Sequence, residues 1–140
     1  MKNLRSALLA LTALLLATAA HAQQTNVKAD VPFDFVVGNR AYPAGEYTVK
    51  SISESGVAIR IDNTQDPKTG LVLSNSCHSV QPSTETKLLF QRLGDHYFLY
   101  QIWTEGNSSG REFPMSKAET QLAQNHQKPE LVIVAANISR

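Results

Sequence analysis

The chain has 140 residues, with 13 Lys and Arg against 12 Asp and Glu and a formal charge of +1 at neutral pH. That balance, with the basic residues scattered singly, argues against a surface built to neutralise nucleic-acid phosphates. A single cysteine, Cys77, excludes a fold stapled by internal disulfides.

Residues 1–22 carry the pattern of a secretory signal peptide. Lys2 and Arg5 give a positive start, Ala7 to Ala20 an apolar stretch, and Ala20-His21-Ala22 a small-residue cleavage site before Gln23. The apolar run is short for a bilayer span and no later stretch is longer, so an exported chain without a transmembrane segment is expected. Cleavage leaves 118 residues with 11 basic against 12 acidic side chains, a formal charge of −1. That length suits one domain with its own core. The expected organisation is a signal peptide over 1–22, a flexible leader over 23–29 and a single β-rich domain over 30–140.

Beyond the leader the pattern has period two, the spacing at which alternate side chains face opposite sides of a strand. VPFDFVV puts Val31, Phe33, Phe35 and Val37 on one face. Pro32, lacking an N–H for a central ladder, marks an edge strand or a strand start. Gly38-Asn39 and Tyr42-Pro43-Ala44-Gly45 are turn signals. EYTVKSI continues with Tyr47 and Val49, and a bulge near Ser51 would bring Ile52 back into phase. Ser55-Gly56 turns the chain into VAIRID, where Val57, Ile59 and Ile61 alternate with Ala58, Arg60 and Asp62. NTQDPKTG (63–70) reads as a loop, LVL (71–73) as a short strand, and a further strand is expected around Cys77 to Val80.

KLLFQRL and HYFLYQIW form a hairpin about Gly94-Asp95. The two-residue turn opposes Leu93 to His96, Arg92 to Tyr97, Phe90 to Leu99 and Leu88 to Gln101, with Leu89 opposite Tyr100 and Gln91 opposite Phe98. HYFLYQIW is apolar on both faces. One face is expected to point inward and the other to lie under a late helix; a ligand-lined interior and an exposed association patch are the alternatives. TEGNSSG (104–110) reads as a loop. Ser116 and Glu119 have capping-box spacing and Pro129 stops the run, which predicts a helix over 117–127 with Ala118, Leu122 and Ala123 as its stripe. LVIVAA (131–136) reads as a strand buried on both faces. The sum is an all-β, single-domain antiparallel sandwich or small barrel of about seven to eight strands, with one short helix before the last strand.

Chemistry-bearing patterns are few. GNSSG (106–110) matches G-x-S-x-G with Ser108 as nucleophile, but that motif works at a strand-to-helix turn of a larger α/β sheet, and REFP follows instead. His78, His96 and His126 lack metal-ligand spacing. Cys77 and His78 are neighbours whose side chains would point to opposite faces of a strand, so Cys77 reads as a small apolar residue before it reads as a reactive thiol. Arg111 and Glu112 beside Phe113 read as a solvated edge. Asn107-Ser108-Ser109 and Asn137-Ile138-Ser139 match the glycosylation acceptor pattern, which is short enough to occur by chance. No catalytic residue, metal site or cofactor is expected.

Three blocks, PFDFVVGNRAYPAGEYTV (32–49), GDHYFLYQIWTEGNSSGREFP (94–114) and SKAE (116–119), together resemble a family of small exported bacterial proteins of uncharacterised activity. Tyr42 and His96 stand where the family pattern has Leu and Arg. The resemblance covers most of the chain beyond residue 22. It implies export from a bacterial cell and a β-rich domain, and it carries no activity, ligand or site residue with it.

The expectation is therefore a non-enzymatic exported β-domain, binding or structural, in the periplasm, the cell envelope or outside the cell. A carbohydrate, protein or envelope partner fits its mixed surface better than nucleic acid. Trp103, Tyr97, Tyr100 and Phe98 are the candidate contacts for a ligand or partner. A lipocalin-like barrel carrying a small apolar molecule is the alternative, and a small hydrolase or thiol enzyme built on Ser108 or Cys77 a distant third.

Overall fold

The computed structural model describes residues 24–67, 69–125 and 128–139. The segment read as a signal peptide, and His126, lie outside the described residues. The strands are β1 (Asn26–Val31), β2 (Phe35–Val37), β3 (Arg40–Tyr42), β4 (Gly45–Ser51), β5 (Ala58–Asn63) and β6 (Thr69–Leu73). They continue with β7 (Asn75–His78), β8 (Lys87–Leu93), β9 (His96–Trp103), β10 (Ser109–Glu112) and β11 (Glu130–Ile138), with helix α1 (Lys117–Gln124) before the last. The fold is mostly β, a nearly closed barrel or sandwich with one helix before the final strand.

The pairing order is β3-β2-β9-β8-β11-β1-β4-β5-β6, all antiparallel except β2 with β9. β10 joins the second half of β9 to β7, which continues β6 across Ser74. The gap between the two ends of this path is spanned at two levels. At the level of β7 a ladder runs β9-β10-β7, and at the level of β6 the edges of β3 and β6 are bridged by the Arg40 guanidinium on the Thr69 carbonyl at 2.6 Å. The Tyr42 phenol packs so closely against Gly70 at this seam that any Cβ there would collide with it.

Each strand owes its place to its inward row. Val27, Ala29 and Val31 of β1, Tyr47 and Val49 of β4, Ile59 and Ile61 of β5, and Leu88 and Phe90 of β8 form one buried cluster with Phe35, Val37 and Tyr42. Burying one such side chain contributes about 1.5–3 kcal/mol, so these rows set the register. Phe35 sits at the centre, its ring 5.3 Å from Tyr42, 5.0 Å from Tyr47 and 5.4 Å from Phe90. The interior is filled by side chains.

Several expectations need correction. The stretch read as leader already contains β1, because Val27 and Ala29 alternate inward as Val31 does. β4 ends at Ser51 without the expected bulge, leaving Ile52 exposed. Among the described residues there are eleven strands where about seven to eight were expected, and β2, β3, β7 and β10 are only three or four residues long. The strand expected around Cys77 to Val80 runs Asn75–His78, and LVL belongs to a strand that begins at Thr69. The helix ends at Gln124, and it turns Glu119 and Leu122 toward the sheet while Ala118 and Ala123 face outward. β11 is buried on its inner face only, with Leu131 and Ile133 more than half exposed, because α1 packs on β8 instead.

The hairpin register is as expected from Leu93↔His96 to Phe90↔Leu99, then shifts by one at a bulge, giving Leu89↔Gln101 and Leu88↔Ile102. Tyr100 is the extra residue. The shift reverses the phase of β9, placing Tyr97, Leu99 and Ile102 on the inner row and Phe98, Gln101 and Trp103 on the outer one. This is why an octapeptide with no polar side can serve one core.

Among the described residues no helix is long and apolar enough to cross a membrane.

Candidate functional site

The two ends of the barrel differ. At one end Phe33 stacks on Tyr97 with ring centroids 3.8 Å apart, Arg92 lies 5.6 Å from the Tyr97 ring, and the Tyr47 hydroxyl donates to the Pro43 carbonyl. Aromatic rings plug this end.

The other end is open and polar. A cleft of about 160 Å³ lies there, floored by the inward Ile102 and lined by β10, β7, the residues before β1 and the loop after β9. Four hydroxyls reach it, from Thr25, Ser76, Thr104 and Ser109, with the amides of Gln24 and Asn107. Its one charged residue is Arg111. Period-two alternation explains the set: Ser109 and Arg111 share the inner row of β10, opposite His78 and Ser76 of β7.

Arg111 is fixed before any ligand arrives. Its Nε donates to Ser74 Oγ at 2.9 Å and its Nη2 to the Ser74 carbonyl at 2.7 Å. Ser74 is buried at the corner between β6 and β7, where its N–H donates to the Val57 carbonyl at 2.8 Å. Glu112, next in sequence, faces the outer row and accepts from Gln101 Nε2 at 2.6 Å, so it does not neutralise Arg111. The pair read as a solvated edge is thus split: one member holds the barrel corner and lines the cleft, the other serves the outer face.

The serine that stands beside an imidazole is Ser109, not Ser108. Ser109 Oγ is 3.0 Å from His78 Nδ1, and Ser76 Oγ is 3.4 Å from His78 Nε2. A hydrolytic triad needs a carboxylate on the far imidazole nitrogen and backbone donors aimed at a developing oxyanion. Here a second hydroxyl occupies the carboxylate's place. The arrangement orients two serine hydroxyls at the cleft. Cys77 is half-buried on the outer row, and burial, then the Glu112 carboxylate, push its thiol pKa up, which disfavours the nucleophilic thiolate. Among the described residues no cluster of His, Cys, Asp and Glu could hold a metal ion.

The four aromatic candidates do not form one patch. Phe98 is buried on the outer row of β9, opposite Gln91. Tyr97 lies at the plugged end with Phe33. Tyr100, at the bulge, faces Glu112, with its phenol pKa raised by burial and then by that carboxylate. Trp103 is 9% exposed and lies on the floor of a shallow groove of about 270 Å³ with Leu89, walled by Ser79 and residues 81–84. Its indole N–H donates to Gln101 Oε1 at 3.0 Å. The cleft around Arg111 escaped sequence reasoning because β10 was read as loop; period-two phasing of Ser109 and Arg111 was the available signal.

No family model matches the chain, and no curated protein or solved structure matches it either.

Proposed function

We propose that this is an exported, non-enzymatic β-barrel domain that binds a small polar molecule at the open end of its barrel. The observation that carries the reading is the convergence of four hydroxyls, two amides and a pre-fixed guanidinium over a hydrophobic floor. Barrel mouths are a recurrent place for such sites, and a few convergent polar groups give them their orientation and specificity. The filled interior weighs against a carrier of apolar molecules, since Tyr47, Phe90, Ile59 and Ile61 are wholly buried where such a ligand would sit. Export rests on the N-terminal pattern of residues 1–22.

Binding is tested by NMR shift mapping of 15N-labelled protein against a panel of sugars, sugar acids, polyols and amino acids. Shifts clustered on Ser76, Thr104, Ser109 and Gly110 are expected. Shifts confined to the Trp103 groove, or none across the panel, would refute the cleft. Export is tested by fractionating the host and sequencing the mature N-terminus, with Gln23 expected as the first residue.

A further inference from the structure

The cleft at the open end carries a positive charge that no acidic group among the described residues answers. Arg111 is the one charged residue lining it. Among the described residues no carboxylate pairs with it, and Glu112 is committed to Gln101 on the other face. A guanidinium has five N–H donors in a rigid fork, and Ser74 takes two of them, leaving three. Both bonds to Ser74 also hold the side chain in place, so a ligand would lose little binding energy to ordering it. A half-buried cation with spare donors is stabilised most by an anion.

The rest of the lining narrows the class. One guanidinium matches one carboxylate; a surface for polyanions would need several cations. Thr25, Thr104, Ser76 and Ser109 supply hydroxyls, which both donate and accept and so suit a ligand that is itself hydroxylated. His78 braces two of them through its two ring nitrogens. The volume, about 160 Å³, resembles the roughly 150 Å³ of a cavity that holds a single six-membered ring. From these features we infer that the cleft binds one ring-sized hydroxylated monocarboxylate, a sugar acid of the uronate type, with its carboxylate on Arg111 and its hydroxyls on the serine and threonine rim. The inference rests on the cleft being a binding site at all, as proposed above. The open cleft admits the uronate either free or as the end unit of a longer saccharide.

The experiment is a calorimetric titration of the whole exported protein at low salt with glucuronate, glucose and sodium sulfate, and with a uronate-terminated trisaccharide. Glucuronate binding at least tenfold tighter than glucose, and weakening as salt is raised, is the expected result. Trisaccharide binding as tight as that of the free acid assigns the chain end as source, and weaker binding assigns the free acid. Ser109→Asp puts a carboxylate into the lining of the cleft, two residues from Arg111 on the inner row of β10, without touching the bonds to Ser74. It should abolish glucuronate binding while leaving the thermal midpoint within a few degrees, whereas Ser109→Ala should weaken binding only a few-fold. Equal binding of glucose and glucuronate at the cleft would overturn the carboxylate assignment and leave the binding site standing. Sulfate binding without either sugar would reduce the cleft to an adventitious anion site only. Silence from all four would overturn the inference, and silence across the wider panel would overturn the binding site with it.

Discussion

The indole of Trp103 lies against the backbone of Gly110 on the neighbouring strand. A Cβ at Gly110 would stand 2.9 Å from Trp103 Cδ2 and 2.7 Å from the Ile102 carbonyl, closer than packed atoms tolerate. Gly110→Ala is therefore expected to destabilise the protein by about 1–3 kcal/mol, the usual range for overpacking. Trp103 is the single tryptophan, so urea denaturation followed by its fluorescence reports the change directly. An unchanged midpoint would mean that the indole does not rest there.

Arg111 and Ser74 are expected to behave as one unit. Arg111→Ala leaves a buried hydroxyl and carbonyl without their donors, a cost of about 1–3 kcal/mol. Ser74→Ala removes the Nε–Oγ bond from the other side, leaves the bond to the Ser74 carbonyl, and also loosens the turn at Gly56 and Val57. In a double-mutant cycle the two losses should be clearly sub-additive. Additive values would show that the pair is not coupled at the barrel corner.

Glu119 gives the stability a pH dependence of unusual sign. It is buried, and burial raises its pKa above the ordinary 4.5, outweighing the bond from the Ser116 N–H that favours the charged form. The folded state thus holds a proton that the unfolded chain has already released. Glu119 makes its full contribution below the unfolded value, and that contribution is lost as the pH climbs from about 4.5 through the folded value. Glu119→Gln retains capping-box chemistry without the charge. It should match the wild type in acid and equal or exceed its thermal midpoint at neutral pH. A variant less stable at neutral pH than in acid, relative to wild type, would reverse the argument.

Cys77 is expected to alkylate slowly. Burial first and Glu112 second hold its thiol above the usual range, so the thiolate fraction at neutral pH is small. Iodoacetamide should modify it more slowly than free cysteine, and Glu112→Gln should speed the reaction by removing one of the two causes. A rate above that of free cysteine would identify a reactive thiol.

The alternation of Tyr47, Val49, Ile59 and Ile61 made the β class and several inward rows legible, because each row is long enough to set a phase. The capping box of Ser116 and Glu119 was equally plain, being a local device, and both of its hydrogen bonds are present. What escaped was non-local. The bulge at Tyr100 leaves no mark on the residue itself, and only the fit of two strands requires it. The short β10 is defined only with its partner: β7 pairs with it where Gly110 leaves room for Trp103. Arg111 looked like surface because its partner, Ser74, is 37 residues away. The aromatic candidates were judged by type, and their neighbours sent Tyr97 and Trp103 to opposite ends of the barrel.

The final strand, β11, sits in the middle of the pairing order, between β8 and β1, with Val27 opposite Ile138. Without residues 130–138 in place, β8 and β1 have no strand between them, and the two parts of the wall meet only through the short pairings β2–β9 and β9-β10-β7. The native topology is therefore completed by a pairing of long sequence separation, between residues 26–31 and 130–138. Pairings of long sequence separation form slowly, so the docking of β11 between β8 and β1 is expected to be the slow step of folding.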